Sequence, residues 1–147
     1  MARNETTITV VGNVASDVTH RHTTGGVSRA GFRIGATERR YNAESGEWVD
    51  GNKLYLSVVC WRRLADGVVA SLGKGDPVIV SGRLYTRDFE VDGQRRSVME
   101  VEASAVGPDL TWCVADPQRG RSAAAIVAPR EEGAVAEPVR EAVDAPF

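Results

Sequence analysis

Alternation of apolar and polar side chains is the feature that most constrains the fold of this chain. Successive side chains in a β-strand point to opposite faces, so an alternating run predicts a strand with one buried face. One short β-branched run and four alternating runs predict strands at Thr7–Val11, Phe32–Arg39, Leu54–Trp61, Val78–Phe89 and Ser97–Val106. Turn-forming residues separate them, at Thr24-Gly25-Gly26, Ser45-Gly46, Asp50-Gly51 and Asp92-Gly93. The last of these lies between two alternating runs and predicts a hairpin turn.

One segment has the periodicity of a helix instead. Leu64, Val68 and Leu72 recur at four-residue spacing and predict a helix over Arg63–Leu72, which the glycines and proline of residues 73–77 end. Five strands with a helix between the third and the fourth is the order of an OB-fold, a five-stranded Greek-key barrel. An immunoglobulin-type sandwich has more strands and no helix at that place. We therefore predict an all-β OB-fold barrel within residues 1–115.

Residues 116–147 have a different composition. They are rich in alanine, proline and charged residues, with no sustained apolar period and no aromatic residue before Phe147. Such a segment buries too little apolar surface to offset the entropy that is lost when a chain becomes ordered. We expect the folded domain to be followed by a disordered C-terminal tail.

Strand parity separates the predicted core from the predicted surface. In Leu54–Trp61 the even positions are predicted to face the core: Leu54, Leu56, Val58 and Cys60. The odd positions are predicted to face outward: Tyr55, Ser57, Val59 and Trp61. By the same parity, the outward positions of the second and fourth predicted strands include Arg33, Arg39, Arg83, Tyr85, Arg87 and Phe89. Three strands therefore present arginines interleaved with aromatic rings.

This combination is typical of proteins that hold single-stranded DNA. Exposed rings cost free energy unless something covers them, and a base that stacks on a ring contributes about 1–3 kcal/mol. A neighbouring arginine binds phosphate with its planar fork. Because duplex DNA hides its base faces, stacking favours single strands with little regard for sequence. The residues leave two alternatives open: a protein-interaction adaptor whose rings form a protein interface, and an oligosaccharide-binding domain in which the arginines have no role.

Short motifs follow one another along the chain in a characteristic order. They are Val10-Val11-Gly12-Asn13-Val14 with Asp17, Gly25-Gly26-Val27, Phe32-Arg33-Ile34-Gly35-Ala36-Thr37, Ser45-Gly46-Glu47, the run from Val58 to Ala65, Leu72-Gly73-Lys74-Gly75, the run from Val80 to Arg87, and a final Pro146-Phe147. In this order and spacing the chain resembles the bacterial single-stranded DNA-binding proteins of the homotetrameric OB-fold type. The likeness extends from Thr7 to about Pro108.

The resemblance implies which residues contact DNA. Members of the family stack bases on aromatic rings that correspond here to Tyr55, Trp61 and Phe89, and Tyr85 lies on the same predicted face. A further stacking position falls at Arg40, so Tyr41 takes that role through a local bulge, or Arg40 itself stacks, or the contact is lost. Parity and charge give the candidate phosphate ligands Arg33, Arg39, Arg40, Arg63, Arg83 and Arg87.

The resemblance also implies an assembly and partner proteins. We expect a homotetramer, and in one branch of the family an extra strand clasps a neighbouring subunit, a role that Leu110–Val114 with Trp112 would fit. Replication, recombination and repair proteins capture the terminal ring and carboxylate of the family's tail. The corresponding tip here is Asp144, Ala145, Pro146 and Phe147, without the family's run of consecutive acids. We therefore expect weaker or narrower partner binding, and we hypothesise a second, specialised copy that acts in recombination or stress.

Other functional classes have little support in the sequence, and we expect no cofactor, no metal and no enzymatic activity. His20 and His22 have the spacing of some metal ligands but no third ligand, so we expect them to be solvated in a polar loop. The segment Gly73-Lys74-Gly75 lacks the pattern of a phosphate-binding loop. Cys60 and Cys113 are expected to be reduced and mostly buried. With no bilayer-spanning apolar run and no secretory signal, we expect a cytoplasmic, nucleoid-associated protein that does not bind membranes.

Overall fold

A computed structural model describes residues 2–119 of the chain. These residues form six strands and one helix. In chain order they are β1 (Thr6–Val14), β2 (Thr19–His22), β3 (Ser28–Asn42), β4 (Glu47–Trp61), α1 (Arg62–Ser71), β5 (Pro77–Val91) and β6 (Gln94–Pro108).

Five of the strands close into a barrel. β1 pairs with β3 and β5, β3 pairs with β4, and β5 pairs with β6, all in antiparallel register. A short parallel pairing between β4 and β6 completes the ring. The helix α1 connects β4 to β5, which are the strands predicted as third and fourth. The predicted Greek-key OB-fold with its single helix is therefore confirmed.

β2 is a sixth strand that the sequence did not predict. Its four residues are polar and carry no apolar alternation, and β2 pairs antiparallel with β3. The expectation that His20 is solvated in a polar loop is wrong, because its Nε2 lies 2.8 Å from the hydroxyl oxygen of Ser28. Ser28 is buried and donates a hydrogen bond of 2.7 Å to Asp66 in α1. This network attaches the β2–β3 hairpin to the helix.

The β3–β4 hairpin is longer than predicted. Its turn is at Ser45-Gly46, as expected, and the Gly46 N–H donates to the Asn42 carbonyl at 2.8 Å. Gly46 has a φ of +71°, which a residue without a Cβ adopts at little cost. The prediction of a second turn at Asp50-Gly51 is wrong, since both residues lie inside β4.

A bulge explains why Asp50-Gly51 resembles a turn. Thr37 pairs with Lys53 but Arg39 pairs with Asp50, so β4 contains one more residue than β3 at this point. An extra residue of this kind bends a strand without ending it. Beyond the bulge, odd positions of β3 pair with even positions of β4, as in the pair of Tyr41 and Trp48.

The end of the barrel differs in one place from expectation. The predicted hairpin turn at Asp92-Gly93 is confirmed, and both residues have positive φ, +52° and +78°, as a type I′ turn requires. The segment Leu110–Val114, considered above as a short strand, forms none in this structure. Its first residues form a turn instead, in which the Trp112 N–H donates to the Asp109 carbonyl at 3.1 Å.

The core lies inside the barrel and under α1. Its buried apolar side chains are Val10, Val14, Ala30, Phe32, Ile34, Leu56, Val58, Cys60, Ala65, Val68, Val78, Val80 and Val101. Two of the parity predictions are wrong. Leu54 is half exposed because it lies where the hairpin leaves the barrel, and Val59 is buried although its register places it on the outer face, beside Gly31 and Glu102.

Several predictions fall outside the described residues. The disordered tail and its tip, Asp144 to Phe147, are among them. Within residues 2–119, no helix has the length and apolar character needed to cross a membrane. Cys60 is buried and Cys113 is partly buried, and both carry free thiols.

Candidate nucleic-acid interface

The outer faces of four strands form one continuous surface. On β3 and β4, Arg29 lies opposite Trp61 and Gly35 lies opposite Tyr55. Ser57 of β4 lies beside Glu100 of β6, and Glu100 in turn lies opposite Tyr85 of β5. Because residues paired across strands point to the same side of a sheet, these positions share one face. We call this surface the outer face; it extends over β3, β4, β6 and β5.

Each of four rings on the outer face has an arginine beside it. The guanidinium carbon of Arg29 is 5.7 Å from the centre of the Trp61 ring, and that of Arg33 is 6.0 Å from the Tyr55 ring. The remaining two pairs are Arg83 with Tyr85 at 4.4 Å and Arg87 with Phe89 at 5.1 Å. These distances are within the range of cation–π attraction. The predicted interleaving of arginine and aromatic side chains is therefore present as contacts.

Tyr55 is the most exposed ring of the four, with 53 % of its surface accessible. It lies on the backbone of β3 at Gly35, where a Cβ atom would be only 3.0 Å from the ring carbon Cε1. The missing side chain at position 35 thus leaves room for the ring to lie along the sheet. Trp61, Tyr85 and Phe89 are half-buried.

A buried carboxylate lies among the arginines of the outer face. Glu100 is only 4 % exposed, accepts a hydrogen bond from the Tyr85 hydroxyl and accepts another from Arg87 Nε at 3.2 Å. Burial, followed by the hydrogen bond to Glu100, raises the pKa of Tyr85 to about 12. Arg87 is therefore held in place by an internal carboxylate.

Arg83 is also held by a carboxylate, that of Glu102, which lies directly opposite it in the β5–β6 pairing. It donates to Glu102 at 2.7 Å, and this hydrogen bond is the main reason that the pKa of Arg83 is raised. Both groups are well exposed, so the pair contributes little to folding. Its effect is local, because it neutralises the Arg83 charge.

The far end of the β3–β4 hairpin carries a second aromatic pair. The ring centres of Tyr41 and Trp48 are 5.6 Å apart, and both rings are more than half exposed. The extra residue of the bulge lies in β4, so alternation along β3 is unbroken and Tyr41 belongs to the same odd set as Arg33.

The neighbouring arginines of this hairpin are engaged with carboxylates. Arg40 donates to Glu38 at 3.0 Å, and Arg39 pairs with Asp50. Trp48 was not among the predicted residues, because the predicted strand begins after the Asp50-Gly51 pair.

The structure separates the predicted residues into groups. Arg33, Tyr55, Trp61, Arg83, Tyr85, Arg87 and Phe89 lie together on the outer face of the barrel. Arg39, Arg40 and Tyr41 lie beyond the bulge. Arg63 is exposed in α1 and belongs to neither group. Asp144, Ala145, Pro146 and Phe147 lie outside the described residues.

Two arginines that the sequence analysis did not name complete the surface. Arg21 of β2 lies directly opposite Arg29 of β3, and Arg29 lies directly opposite Trp61. Extending the alternation of β3 back from Phe32 places Arg29 in the same odd set as Arg33. Arg21 carries no such signal, because β2 has no apolar alternation. Among residues 2–119, no group of three or more His, Cys, Asp or Glu side chains is arranged to hold a metal ion.

Comparison with known proteins was made with the sequence and with the fold. The sequence model of the single-strand binding protein family matches residues 5–109. The single-stranded DNA-binding protein of Corynebacterium glutamicum is 49 % identical over 120 residues, which are 81 % of this chain and 53 % of that protein. The single-stranded DNA-binding protein of Mycolicibacterium smegmatis is 45 % identical over 112 residues, 76 % of this chain and 68 % of that protein. The chain thus spans about half the length of the first relative and about two thirds of the second.

Two solved structures have the same fold. The small single-stranded DNA-binding protein from Streptomyces coelicolor superposes with a TM-score of 0.66 at 38 % identity, covering 74 % of this chain and 97 % of that one. The second single-stranded DNA-binding protein from Mycobacterium smegmatis gives a TM-score of 0.64 at 41 % identity, covering 78 % and 99 %. Since the family model covers the whole barrel and relatives of this similarity share both sequence and fold, the chain belongs to the single-strand binding protein family.

Proposed function

We propose that the outer face binds single-stranded DNA by stacking bases on its rings and placing phosphates on its arginines. Single-stranded DNA binding is the function of the family to which the chain belongs, and roles in DNA replication, recombination and repair are typical of that family. The proposal concerns how this chain performs that function and with which residues.

One observation carries the proposal. Four rings lie on a single continuous face, and each has a guanidinium group within 6.0 Å of its centre. A nucleotide offers a flat apolar base and an anionic phosphate a few ångströms apart, and this face offers partners for both at that spacing. In a duplex the base faces are stacked on one another, so the rings have nothing to contact.

The proposed contacts differ in strength because the rings differ in exposure. Tyr55 and Tyr41 are more than half exposed and accept a base without rearrangement. Trp61, Tyr85 and Phe89 are half-buried and offer one edge or face. Stacking contributes about 1–3 kcal/mol for each base and is tolerant of base identity, so sequence preference should be weak.

The proposal is tested by the anisotropy of a labelled oligo(dT) strand and of the matching duplex, each titrated with the protein at low and at high salt. We expect tight binding of the single strand, weak binding of the duplex, and a loss of affinity as salt rises because counterions are released. Equal binding of strand and duplex would contradict the proposal. Binding of neither would indicate that the rings form a protein interface.

We also propose that the protein assembles as a homotetramer. The support is the family membership and the exposed apolar side chains at the end of the barrel, above all Leu110 and Trp112. Light scattering coupled to size-exclusion chromatography measures the mass directly. A monomeric mass at micromolar concentration would contradict this proposal.

A third part of the proposal concerns the tail. We propose that Pro146-Phe147 recruits replication, recombination and repair proteins, more weakly than a tail with consecutive acids would. This weaker tip supports a specialised second copy. The test compares the full chain with a variant in which Ala142, Val143 and Ala145 are replaced by Asp, using a tail-binding helicase or recombination mediator. Equal affinity of the two chains would contradict the weaker-tip proposal.

A further inference from the structure

A groove crosses the outer face between the β2–β3 hairpin and β5. It has two adjoining parts that share Arg29 and Arg87; one part also contains Arg33, and the other contains Arg21. Two carboxylates, Asp17 and Glu100, line the first part as well. Four arginines against two carboxylates give the groove a positive balance.

The arginines of the groove are not equivalent. The charge of Arg87 is opposed by Glu100, which accepts a hydrogen bond from Arg87 Nε at 3.2 Å. Arg21, Arg29 and Arg33 form no ion pair with any residue in the described part of the chain. An arginine with a carboxylate partner gives up that contact when it binds a phosphate, whereas an arginine without one gains a new charge-assisted hydrogen bond.

The relationship between Arg21 and Arg29 points to an anion. The two residues are directly opposite each other in the β2–β3 ladder. Like charges at directly opposed positions of a sheet are destabilising. No carboxylate within residues 2–119 forms an ion pair with either of them, so neither charge has a direct partner of opposite sign there.

The next residue along the same row is a ring. Arg29 lies opposite Trp61, with its guanidinium carbon 5.7 Å from the ring centre. Arg21, Arg29 and Trp61 therefore form a row across β2, β3 and β4, with two cations at one end and an aromatic surface at the other. Neighbouring strands lie about 4.7–4.9 Å apart, so the row places two cations and a ring within reach of the phosphate and the base of one nucleotide.

We propose that Arg21 and Arg29 together bind one phosphate of single-stranded DNA, next to a base that contacts Trp61. This inference rests on the proposed function and adds two residues to the binding surface. The phosphate replaces the repulsion between two like charges with two attractive contacts. β2 then has a function of its own, since it supplies Arg21 from outside the closed barrel.

The test uses the full-length protein and the variants Arg21→Gln, Arg29→Gln and the double variant. The matched control is Arg95→Gln, which removes the same charge from an exposed position opposite Glu90, on the other side of the β5–β6 hairpin from Phe89. Each protein is titrated with oligo(dT) over a series of salt concentrations and, separately, with the matching duplex. Thermal unfolding of each protein is measured without DNA.

We expect the log–log salt slope for oligo(dT) to become less steep by about 0.7 in the double variant, which loses the one phosphate contact, and by a smaller amount in each single variant. The unfolding midpoint of Arg21→Gln should equal or exceed that of the parent, because a like-charge repulsion is removed. Arg29→Gln also loses its contact with the Trp61 ring, so the midpoint of Arg21→Gln is the cleaner measure of the repulsion. Arg29→Lys should keep the slope of the parent. The Arg95→Gln control should keep the slope, and its midpoint should be equal to that of the parent or slightly lower, because Arg95 lies opposite the acidic Glu90.

Two results would overturn the inference. One is a salt slope for the double variant that matches the slope of the Arg95→Gln control. The other is an equal change of slope on the duplex, which would make the pair a general polyanion contact. Failure of the proposed function is a different result, since the parent protein itself would then fail to prefer the single strand.

Discussion

The ring of Tyr55 lies directly on the backbone of Gly35, its cross-strand neighbour, at a distance that leaves no space for a side chain at position 35. A Cβ atom there would be 3.0 Å from Cε1 and 3.3 Å from Cδ1 of the ring. The two residues thus set the height of Tyr55, the most exposed of the four rings that contact arginines on the outer face. The orientation of Tyr55 is a property of the pair and not of the tyrosine alone.

Replacing Gly35 by Val should therefore weaken DNA binding without unfolding the barrel. The added side chain displaces the Tyr55 ring, and we expect a loss of up to about 1–3 kcal/mol in oligo(dT) binding, the usual contribution of one stacked base. β-branched residues suit strand interiors, so stability should change little. Titration by anisotropy, with circular dichroism as a check on folding, measures both. The control is Gly107→Ala, since a Cβ atom at that position meets nothing within 4 Å; an unchanged affinity for Gly35→Val would show that Tyr55 does not bind DNA.

A substitution at Gly12 should lower the stability of the barrel, unlike the substitution at Gly35. A Cβ atom at this position would be 2.2 Å from the carbonyl oxygen of Gly35, a backbone atom that cannot move aside without opening the barrel. Gly12→Ala should destabilise the protein by about 1–3 kcal/mol or more, as overpacking does. Gly67→Ala in α1 is the matched control, because its Cβ atom meets nothing, and it should stabilise by about 0.5–1 kcal/mol. Urea unfolding measures both values, and equal midpoints for the two variants would contradict the close approach.

Tyr85 should make stability depend on pH in the alkaline range. Burial and the hydrogen bond to Glu100 raise its pKa from 10.0 to about 12, so the folded state favours the protonated phenol. This contribution to stability is complete below pH 10 and is lost as the pH rises toward 12. A phenolate absorbance titration should therefore contain a late component near pH 12 that belongs to Tyr85. Tyr85→Phe should remove this late component, and a late component that persists in the variant would refute the assignment.

The junction between β4 and α1 stores backbone strain. Arg62 has a φ of +59°, a left-handed conformation that costs a residue with a side chain roughly 1–2 kcal/mol. In Arg62→Gly, relief of this strain should offset the entropic cost of introducing a glycine, so stability should be unchanged or slightly higher. A glycine at an ordinary helix position destabilises instead. Thermal unfolding of Arg62→Gly and Arg62→Ala compares the two effects. Lower stability of the glycine variant than of the alanine variant would contradict the strain.

The strands of the barrel could be predicted because apolar and polar side chains alternate along them in the sequence. Alternation in Leu54–Trp61 and Val78–Phe89 depends on burial of one face, and a buried face is what the closed barrel requires. β2 escaped prediction for the same reason, since an edge strand of four polar residues buries no continuous apolar set. The bulge in β4 was hidden because its Asp50-Gly51 pair has the composition of a turn.

Strand parity also predicted the rings of the outer face, but it did not identify all of the arginines beside them. Arg29 lies just before the run that begins at Phe32, and its place beside Trp61 depends on a pairing register that no local pattern specifies. The division of arginines into those with and those without carboxylate partners is likewise invisible in the sequence. Glu100 and Glu102 alternate along β6 like ordinary exposed acids, yet they form the ion pairs with Arg87 and Arg83.

The central claim, that bases stack on the outer face, is tested most directly by the fluorescence of Trp61 alone. The chain has three tryptophans, Trp48, Trp61 and Trp112. In a variant that keeps only Trp61, with the other two replaced by Phe, we predict strong quenching by poly(dT), weaker quenching at high salt, and little change with the matching duplex. A second variant that keeps only Trp112 is the control and should respond weakly. Quenching confined to the Trp112 variant, or no quenching of Trp61 by the single strand at low salt, would contradict the account.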